Sequence, residues 1–413
     1  MKAVATTIVI IALIFIGASF YLMTHIDQSL SNPRYPNQQD TSQQNSQSNF
    51  PTQFSNIPSC GTSKMFFSFP PVTLDKIVDL APLGQLSPPD HVFPAPHNYF
   101  YVIDYEHPQD VNAPVYAPGN MTLTQIGLRH YNTLGQKTDY IDYTLFFSVC
   151  DKFDFYYHHV TTLTYQPFID AAQDILKKCN FSKDRNEDFC SGAVNIPVKA
   201  GEQIGTTGDL KAGVYGLDMG ARDYRLSTGR NAFVNPDKIC GIGKNPYSHC
   251  YTVCAFDYFT DDIKRQLKFS TNIGTIVRTE EPVCGSVYYD VKDTAQGIWF
   301  GPNVATTFSP ESNNLFLGPD NVQPSVKVFS VGMSISSLPA GKYEFNPTNS
   351  GLVNRDFRNV TSDGKIYCYE TSQQAVIILQ LTTLTTLKIE RQNISNCGVG
   401  PWSFTSSATD FTR

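Results

Sequence analysis

Hydrophobic positions divide the chain into one long apolar run and many short ones. The long run, Ala3–Met23, contains no charged residue and approaches the ~20 apolar residues that a helix needs to cross a bilayer. Beyond residue 60 the apolar positions fall in short runs between turn residues, which is typical of β-strands. One segment, Tyr165–Lys178, instead repeats its apolar residues at helical spacing and predicts an amphipathic helix. The pattern therefore predicts a mainly β protein that follows a transmembrane helix.

Charges beside the long apolar run predict its orientation. Lys2 precedes the run and Asp27 follows it, and basic residues favour the cytoplasmic side of a membrane. We expect residues 1–24 to be a single-pass membrane anchor, with a cleaved signal peptide as the alternative. Both interpretations place the bulk of the chain outside the cytoplasm. Residues 25–59 are rich in Gln, Ser, Asn and Pro, a composition that predicts a disordered stalk.

Charge and cysteine usage narrow the classes of function. The formal net charge of -6 provides no basic surface for nucleic acid. All ten cysteines lie beyond the apolar run, which predicts disulfides formed in an oxidising compartment. Cys179 with Cys190, and Cys250 with Cys254, are short-range candidates for pairing. We assign the HCYTVC run, His249–Cys254, to disulfides rather than to a metal, because no second pair at metal-binding spacing accompanies it.

Four N-x-S/T sequons are candidate glycosylation sites on the exported side of the membrane. They begin at Asn120, Asn180, Asn359 and Asn393. Because oligosaccharides are bulky, we expect these asparagines at the protein surface if the host glycosylates its exported proteins.

Five motifs follow one another between residues 94 and 223. They are PAPHNYFYV (94–102), APVYAPGNMTLTQIG (113–127), DYTLFFSVCDKFDFYYHHV (142–160), IPVKAGEQIGTTG (196–208) and YGLDMGARD (215–223). Their order resembles that of the lysostaphin/LytM-type zinc metallopeptidases, which cut peptide cross-links in bacterial cell walls. The family order is H-x-x-x-D, P-V-Y-A-P-x-x-G-x-V, Y-x-H-L, V-x-x-G-x-x-I-G-x-x-G and H-L-H-F-E. The resemblance implies a LytM-like antiparallel β-sheet domain over residues 60–235.

The resemblance also implies which residues form the site. His97 fits the first zinc ligand of the family, and His159 fits the catalytic histidine of Y-x-H-L. Tyr101 occupies the position of the ligand aspartate. Gly216 and Asp218 occupy the positions of the catalytic and metal-binding histidines of H-L-H-F-E. His97 and Asp218 are therefore the candidate metal ligands.

A hydrolytic zinc ion needs three protein ligands and an open position for water. His97 and Asp218 supply two, and Asp104 or His159 is the alternative source of a third. We therefore expect a non-catalytic domain that binds no cofactor. Only if the site is active would it bind zinc and use His159 as a catalytic residue. Because successive residues of a strand face opposite sides, we also expect His158 and His159 to point to opposite faces of the sheet.

Residues 236–413 predict a second β-rich domain. About eight strand-like runs extend from Gly297-Ile298-Trp299 to the end of the sequence and have the spacing of a β-barrel or a β-sandwich. The G-x-W start with a late arginine, for which Arg391 is one candidate, is similar to lipocalin-like barrels, in which the arginine packs on the tryptophan. Such a barrel would begin near residue 290. Cys368 and Cys397 lie in strand-like runs where a disulfide would tie this block together.

Together these features favour a protein of the cell membrane whose extracytoplasmic part binds a cell-envelope glycan, peptide or surface protein without cleaving it. An active zinc-dependent endopeptidase of envelope peptides is the first alternative. A carrier that holds a small apolar ligand in the C-terminal barrel is the second. Nucleic acid is not expected as a partner.

Overall fold

Antiparallel β-strands dominate the computed structural model of the chain, as the short alternating runs predict. The structure describes residues 57–131, 140–182, 187–226, 228–240, 249–302, 304, 311–336 and 338–413. The described strands are β1 (Asp79–Ala81), β2 (Asn98–Tyr101), β3 (Ala113–Tyr116), β4 (Met121–Tyr131), β5 (Tyr140–Cys150), β6 (Phe153–Val160), β7 (Thr162–Leu163), β8 (Glu187–Val198), β9 (Gln203–Thr207), β10 (Gly216–Asp223), β11 (Thr252–Val253), β12 (Ser270–Thr271), β13 (Ile276–Val277), β14 (Gly297–Trp299), β15 (Leu315–Pro319), β16 (Lys327–Val331), β17 (Gly341–Phe345), β18 (Tyr367–Glu370), β19 (Val376–Thr383), β20 (Thr386–Gln392) and β21 (Thr409–Thr412).

Helices are few and mostly short. The described α-helices are α1 (Gln166–Leu176), α2 (Thr228–Asn231), α3 (Pro236–Cys240) and α4 (Asp261–Lys264), and 3₁₀ helices lie at Leu74–Lys76, Leu210–Ala212, His249–Tyr251, Ala255–Tyr258, Glu311–Asn313 and Phe357–Asn359. The predicted amphipathic helix is confirmed as α1, which buries Phe168, Ala172 and Ile175 on one side. Among the described residues, none of the helices is both long enough and apolar enough to cross a membrane. The predicted anchor, 1–24, and nearly all of the predicted stalk, 25–59, lie outside the described residues.

A large sheet organises the first part of the fold. Its strands lie in the order β1-β2-β10-β6-β5-β4-β8, all neighbours are antiparallel, and β11 pairs with the end of β10. A smaller sheet, β3-β9-β7, and helix α1 cover its inner face. Leu123, Phe147, Phe155 and Met219 project from that face and are fully shielded from solvent, together with Phe168 of α1. The opposite side of the large sheet is called the outer face below.

Two four-stranded sheets, β14-β15-β16-β17 and β18-β19-β20-β21, form the C-terminal block. Their facing sides share one core, to which Trp299 and Phe329 contribute from the first sheet and Tyr369 and Ile389 from the second. In the described residues the edges of the two sheets meet only at isolated hydrogen bonds, as between Phe300 and Thr412. The block is therefore a β-sandwich, and the alternative of a closed barrel is wrong.

A cation–π contact between Trp299 and an arginine is present, but the arginine is Arg413. The guanidinium carbon of Arg413 lies 4.3 Å from the centre of the Trp299 ring. The same guanidinium donates hydrogen bonds to the carbonyl oxygens of Gln296, at 3.1 Å, and Thr294. The candidate named from the sequence, Arg391, is exposed on β20, so that assignment is wrong.

The first sheet of the sandwich is buried on both sides. On the side away from β18-β21, Phe316 and Val328 pack against Leu86 and Phe93, which belong to the loop that leads into β2. This loop, residues 82–97, is therefore held by the sandwich as well as by the large sheet. All described residues belong to one compact unit, Phe50–Arg413, and the proposed division at residue 235/236 stays a prediction.

Five disulfides confirm the expectation of an oxidised protein. They join Cys60 to Cys150, Cys179 to Cys190, Cys240 to Cys250, Cys254 to Cys284 and Cys368 to Cys397. The Cys179–Cys190 candidate and the tie within the C-terminal block are confirmed. The Cys250–Cys254 candidate is wrong, because the 3₁₀ helix and the strand between them direct the two side chains to different partners.

Replacing Arg413 with methionine should lower the free energy of unfolding by about 2–4 kcal/mol, because a buried cation–π contact is lost and two or more backbone carbonyls lose their donor. Urea unfolding followed by tryptophan fluorescence measures this change. The matched substitution Arg391→Met, at an exposed position, should change stability by less than about 0.5 kcal/mol. Equal effects of the two substitutions would contradict the contact.

Candidate functional site

Three neighbouring strands carry the residues that the sequence singled out. His97 immediately precedes β2, His159 lies near the end of β6, and Asp218 lies on β10 between them. Asp218 pairs with Tyr99 of β2 on one side and with His158 of β6 on the other. Because paired residues of neighbouring strands project from the same face, these side chains share the outer face of the large sheet.

Three imidazoles have a ring nitrogen within 3.8 Å of the carboxylate of Asp218. His97 Nδ1 lies 3.4 Å from Asp218 Oδ1, and His159 Nε2 lies 3.5 Å from Oδ2. His158 Nδ1 lies 3.8 Å from the same Oδ2. The structure thus brings His97, His159 and Asp218 together and adds His158 to them. These four residues are called the Asp218 cluster below.

A β-bulge brings both histidines of β6 to the outer face. The pairing of β6 with β5 shifts by one residue between Tyr157 and Val160, so β6 carries an extra residue at this point. His159 has a φ of 66°, a left-handed conformation that residues other than glycine rarely adopt. The expectation that His158 and His159 point to opposite faces is wrong, because it assumed a regular strand and a bulge redirects a side chain.

Asp142 on β5 fixes the orientation of His159. Its Oδ2 lies 2.7 Å from His159 Nδ1, so Nδ1 donates to the carboxylate and Nε2 is left facing Asp218. The sequence did not single out Asp142, because its place beside His159 depends on the bulge and on the pairing of β5 with β6. A carboxylate that holds one nitrogen of a histidine in this way commonly orients the other nitrogen toward a ligand.

Burial and the neighbouring charges give the histidines different charge states. Burial lowers the pKa of His159, but the carboxylates of Asp142 and Asp218 outweigh it and raise that pKa to about 9. Burial and the nearby His159 lower the pKa of His97 to about 3. Burial also depresses the pKa of His158 and raises the pKa of Asp218. At neutral pH His159 is therefore the cation of the Asp218 cluster, and His97 and His158 are neutral.

Two more histidines lie beside the cluster. The ring centres of His91 and His97 are 5.3 Å apart, and His249 Nε2 lies 3.1 Å from the carbonyl oxygen of Pro94. Burial lowers the pKa of His91 and of His249 to about 4. Five of the eight histidines in the sequence thus gather here. His91 belongs to no motif, and His249 lies in the HCYTVC run, so neither was predicted as a site residue.

Several buried polar atoms of the cluster make no hydrogen bond within the described part of the chain. They are His97 Nδ1, His158 Nε2 and Asp218 Oδ1. Buried polar atoms in native proteins are nearly always partnered, and each that is not costs about 1–3 kcal/mol. His97 is 7% exposed and Asp218 is 4% exposed, so bulk water does not replace the missing partners. Three buried polar atoms of the cluster are therefore left without a protein partner among the described residues.

The residues that stand at the positions of the peptidase motifs' catalytic donors do not fit a hydrolytic zinc site. Tyr101 accepts a hydrogen bond of 2.6 Å from Gln85 Nε2, and burial raises its pKa to about 12, so it remains a neutral phenol. A Cβ atom at Gly216 would clash with the carbonyl oxygen of Phe100, so that position has no room for a catalytic histidine. Asp104 is held in an exposed loop, where it accepts from the amide of Glu106 at 2.8 Å.

No three donor atoms from different residues of the Asp218 cluster lie within 4.8 Å of one another. In the part of the chain that the structure describes, one set of three potential metal donors lies within this distance. It consists of Cys60, Cys150 and Asp151. Cys60 and Cys150 are joined in a disulfide, and their sulfurs are not the thiolates that bind metals. The sulfur set is therefore not a metal site, and the Asp218 cluster is the candidate functional site.

Adding a methyl group at Gly216 should lower the free energy of unfolding by about 2–3 kcal/mol, because the strand pairing with β2 must widen to admit it. Thermal and urea unfolding of the Gly216→Ala protein measure the loss. Gly341→Ala is the control, since the nearest atom to an added Cβ there is 3.7 Å away. A Gly216→Ala protein as stable as the control would show that the position has room for a side chain after all.

Comparison with known proteins adds no relative from which a function can be transferred. No family model, curated protein or solved structure matches the chain. The interpretation of the site therefore depends on its own geometry and on the motifs quoted above. What can be stated of the chain is a disulfide-linked, mainly β protein with a buried histidine and carboxylate cluster on the outer face of its large sheet.

Proposed function

We propose that this chain is a membrane-anchored, extracytoplasmic protein that binds a cell-envelope glycan, peptide or surface protein without cleaving it. The five disulfides support an exported protein, because such bonds persist in oxidising compartments. The anchor is inferred from the apolar run Ala3–Met23. The partner would bind the outer face of the large sheet.

A strip of aromatic and charged side chains along the outer face carries this proposal. Phe189 of edge strand β8 is 49% exposed, and it pairs with Arg129 of β4, which pairs in turn with Asp142. At the other end of the strip, the rings of Tyr99 and Tyr101 have their centres 4.2 Å apart. Aromatic residues and arginine supply most of the energy at binding surfaces. The strip, rather than any catalytic group, is what the outer face offers to a partner.

Loss of chemistry at the cluster supports binding without cleavage. Tyr101 and Gly216 pair with each other across β2 and β10, at the positions where the peptidases have a zinc ligand and a catalytic histidine. One is a neutral phenol held by Gln85, and the other admits no side chain. A bound partner would therefore find neither the open metal position nor the base that peptide hydrolysis requires.

The four sequons are compatible with an exported protein. Asn120, Asn180, Asn359 and Asn393 all lie at exposed positions. Asn120 uses its side-chain oxygen to accept from the amide of Ala200 at 3.1 Å, which leaves its amide nitrogen as the atom for attachment. Glycosylation at these positions is part of the proposal and requires a host with the enzymes for it.

A zinc-dependent hydrolase is the second candidate, because a nitrogen of His97 and a nitrogen of His159 each lie within 3.5 Å of an oxygen of Asp218. In this alternative His159 would be catalytic or a ligand. The carrier of an apolar ligand has less support. It required a closed barrel, whereas the sandwich packs its two sheets directly against each other through side chains such as Trp299 and Tyr369.

The purified protein, reconstituted in detergent, should sediment with insoluble envelope material from the host cell. Phe189→Ser should weaken this binding about 5- to 30-fold, because an exposed aromatic anchor is worth about 1–2 kcal/mol. The control is Leu384→Ser, which removes a side chain that is 51% exposed in the C-terminal block. Equal binding by the two variants would exclude the outer face as the binding surface.

The same preparation should leave envelope peptides intact with and without added zinc. Mass spectrometry of the supernatant measures any released fragment. Zinc-dependent fragments that disappear in His159→Ala would reject binding without cleavage and establish the hydrolase instead.

A further inference from the structure

We propose that two copies of this chain associate through strand β8, which pairs in antiparallel register with β8 of the second copy and joins the two large sheets into one. The pairing is centred on Ala193, so that Glu187 of each copy lies opposite Lys199 of the other. This goes beyond envelope binding and does not depend on it, because it requires only a second copy of the chain.

Strand β8 is an open edge of the large sheet. It ends the strand order, and β4 is the only strand that pairs with it within the described residues. β8 has 12 residues, whereas the other edge strands of the described sheets have two to five. An unpaired edge presents backbone amides and carbonyls that can pair with another strand. In the part of the chain that the structure describes, β8 is therefore the longest surface on which a strand could be added.

The edge has little protection against such pairing. Proteins commonly guard an exposed edge with charged side chains, but residues 189–198 contain no charged residue. The strand is also held in place, because a disulfide joins Cys190 to Cys179 just after α1. A strand that is already ordered loses little conformational entropy when it pairs. These features favour a partner strand on β8.

Pro197 indicates which backbone groups of β8 face the open side. It pairs with Thr122 of β4, although proline has no N–H. Within a sheet, proline is found where the missing N–H would have pointed away from the neighbouring strand. Because these groups alternate in direction along a strand, the odd-numbered residues of β8 direct their amides and carbonyls to the open side. The side chains of the same residues are all exposed.

The odd-numbered residues complement one another when the strand pairs with itself. The facing pairs of the proposed register are Ala193 with Ala193, Glu187 with Lys199, Phe189 with Pro197 and Ser191 with Asn195. Opposite charges that face each other across two strands stabilise a sheet. A register shifted by one step would place Glu187 opposite Pro197 or Gly201 and lose both charge pairs. Charge complementarity therefore selects the register centred on Ala193.

Two-fold symmetry follows from this pairing. An interface in which one surface meets a second copy of itself is closed and contains each contact twice. Since facing residues of paired strands project from the same face, the outer faces of the two copies lie on one side of the joined sheet. One pair of strands is smaller than a standard protein interface, so we expect the dimer to dissociate on dilution.

Cysteine cross-linking tests the register. The two Ala193 Cα atoms would be about 5.5 Å apart, within the range that a disulfide spans. The Ala193→Cys protein in detergent, oxidised with copper phenanthroline, should therefore form a covalent dimer on a non-reducing gel. Two Ser191 residues are offset by four positions, about 14 Å, so Ser191→Cys alone should form none. A mixture of Ser191→Cys and Asn195→Cys should cross-link, because these positions face each other.

Failure of the Ala193→Cys protein to cross-link, when circular dichroism shows that it is folded, would overturn the pairing. Equal yields from Ala193→Cys and Ser191→Cys would also overturn it, because they would show random collision rather than a fixed register.

Sedimentation equilibrium in density-matched detergent measures the dimer without a cross-link. The protein should show a monomer–dimer equilibrium that depends on its concentration. Lys199→Glu should weaken the dimer about 3- to 30-fold, because two attractive charge pairs become repulsive. Lys211→Glu is the control, since it makes the same change in charge at an exposed position in a 3₁₀ helix outside β8.

A protein that stays monomeric at all concentrations, or equal dissociation constants for the two lysine variants, would contradict the dimer. Every variant keeps Phe189, and no measurement includes envelope material. Failure of the dimer would therefore leave the envelope-binding proposal standing.

Discussion

The free-energy cost of burying the charge of one carboxylate governs the arrangement of the site. Asp218 lies on a central strand with almost no exposure to solvent, and an isolated charge in such a place costs several kcal/mol unless a partner of opposite sign is near. His159 supplies the opposite charge, since Asp142 and Asp218 together raise its pKa to about 9. The bulge in β6, the left-handed backbone of His159 and the hydrogen bond that His159 donates to Asp142 together bring this cation to the Asp218 carboxylate.

The rest of the fold holds the other side of the cluster. His97 follows the loop of residues 82–97, and Phe93 of that loop packs against the C-terminal sandwich while its amide donates to Glu311 at 2.9 Å. Asn98, next to His97, donates to the carbonyl of Ala81 at 3.2 Å. The position of His97 is therefore determined by the sandwich and by the large sheet together. A site that the motifs place in residues 60–235 depends for its geometry on residues beyond 290.

Two substitutions relative to the peptidase motifs face each other and have a common consequence. Tyr101 and Gly216 are paired across β2 and β10, and they stand where the peptidase motifs have a zinc ligand and a catalytic histidine. The proposal of a binding protein rather than a hydrolase depends on these two positions, which hold a neutral phenol and a residue without a side chain.

Sequence alone determined the features that depend on local chemistry: the β class from alternating apolar runs, the amphipathic helix α1 from its 3.6-residue period, and the oxidised cysteines. The order of motifs singled out His97, His159 and Asp218 as candidates, but it left open whether their side chains come together. Tertiary structure decided what depends on pairing between distant segments. The bulge that turns both His158 and His159 outward, the approach of Asp142, the partners of Cys250 and Cys254, and Arg413 rather than Arg391 on Trp299 could not be predicted. Each requires the register between strands that are far apart in the chain, and a shift of one residue in register changes the face to which a side chain points.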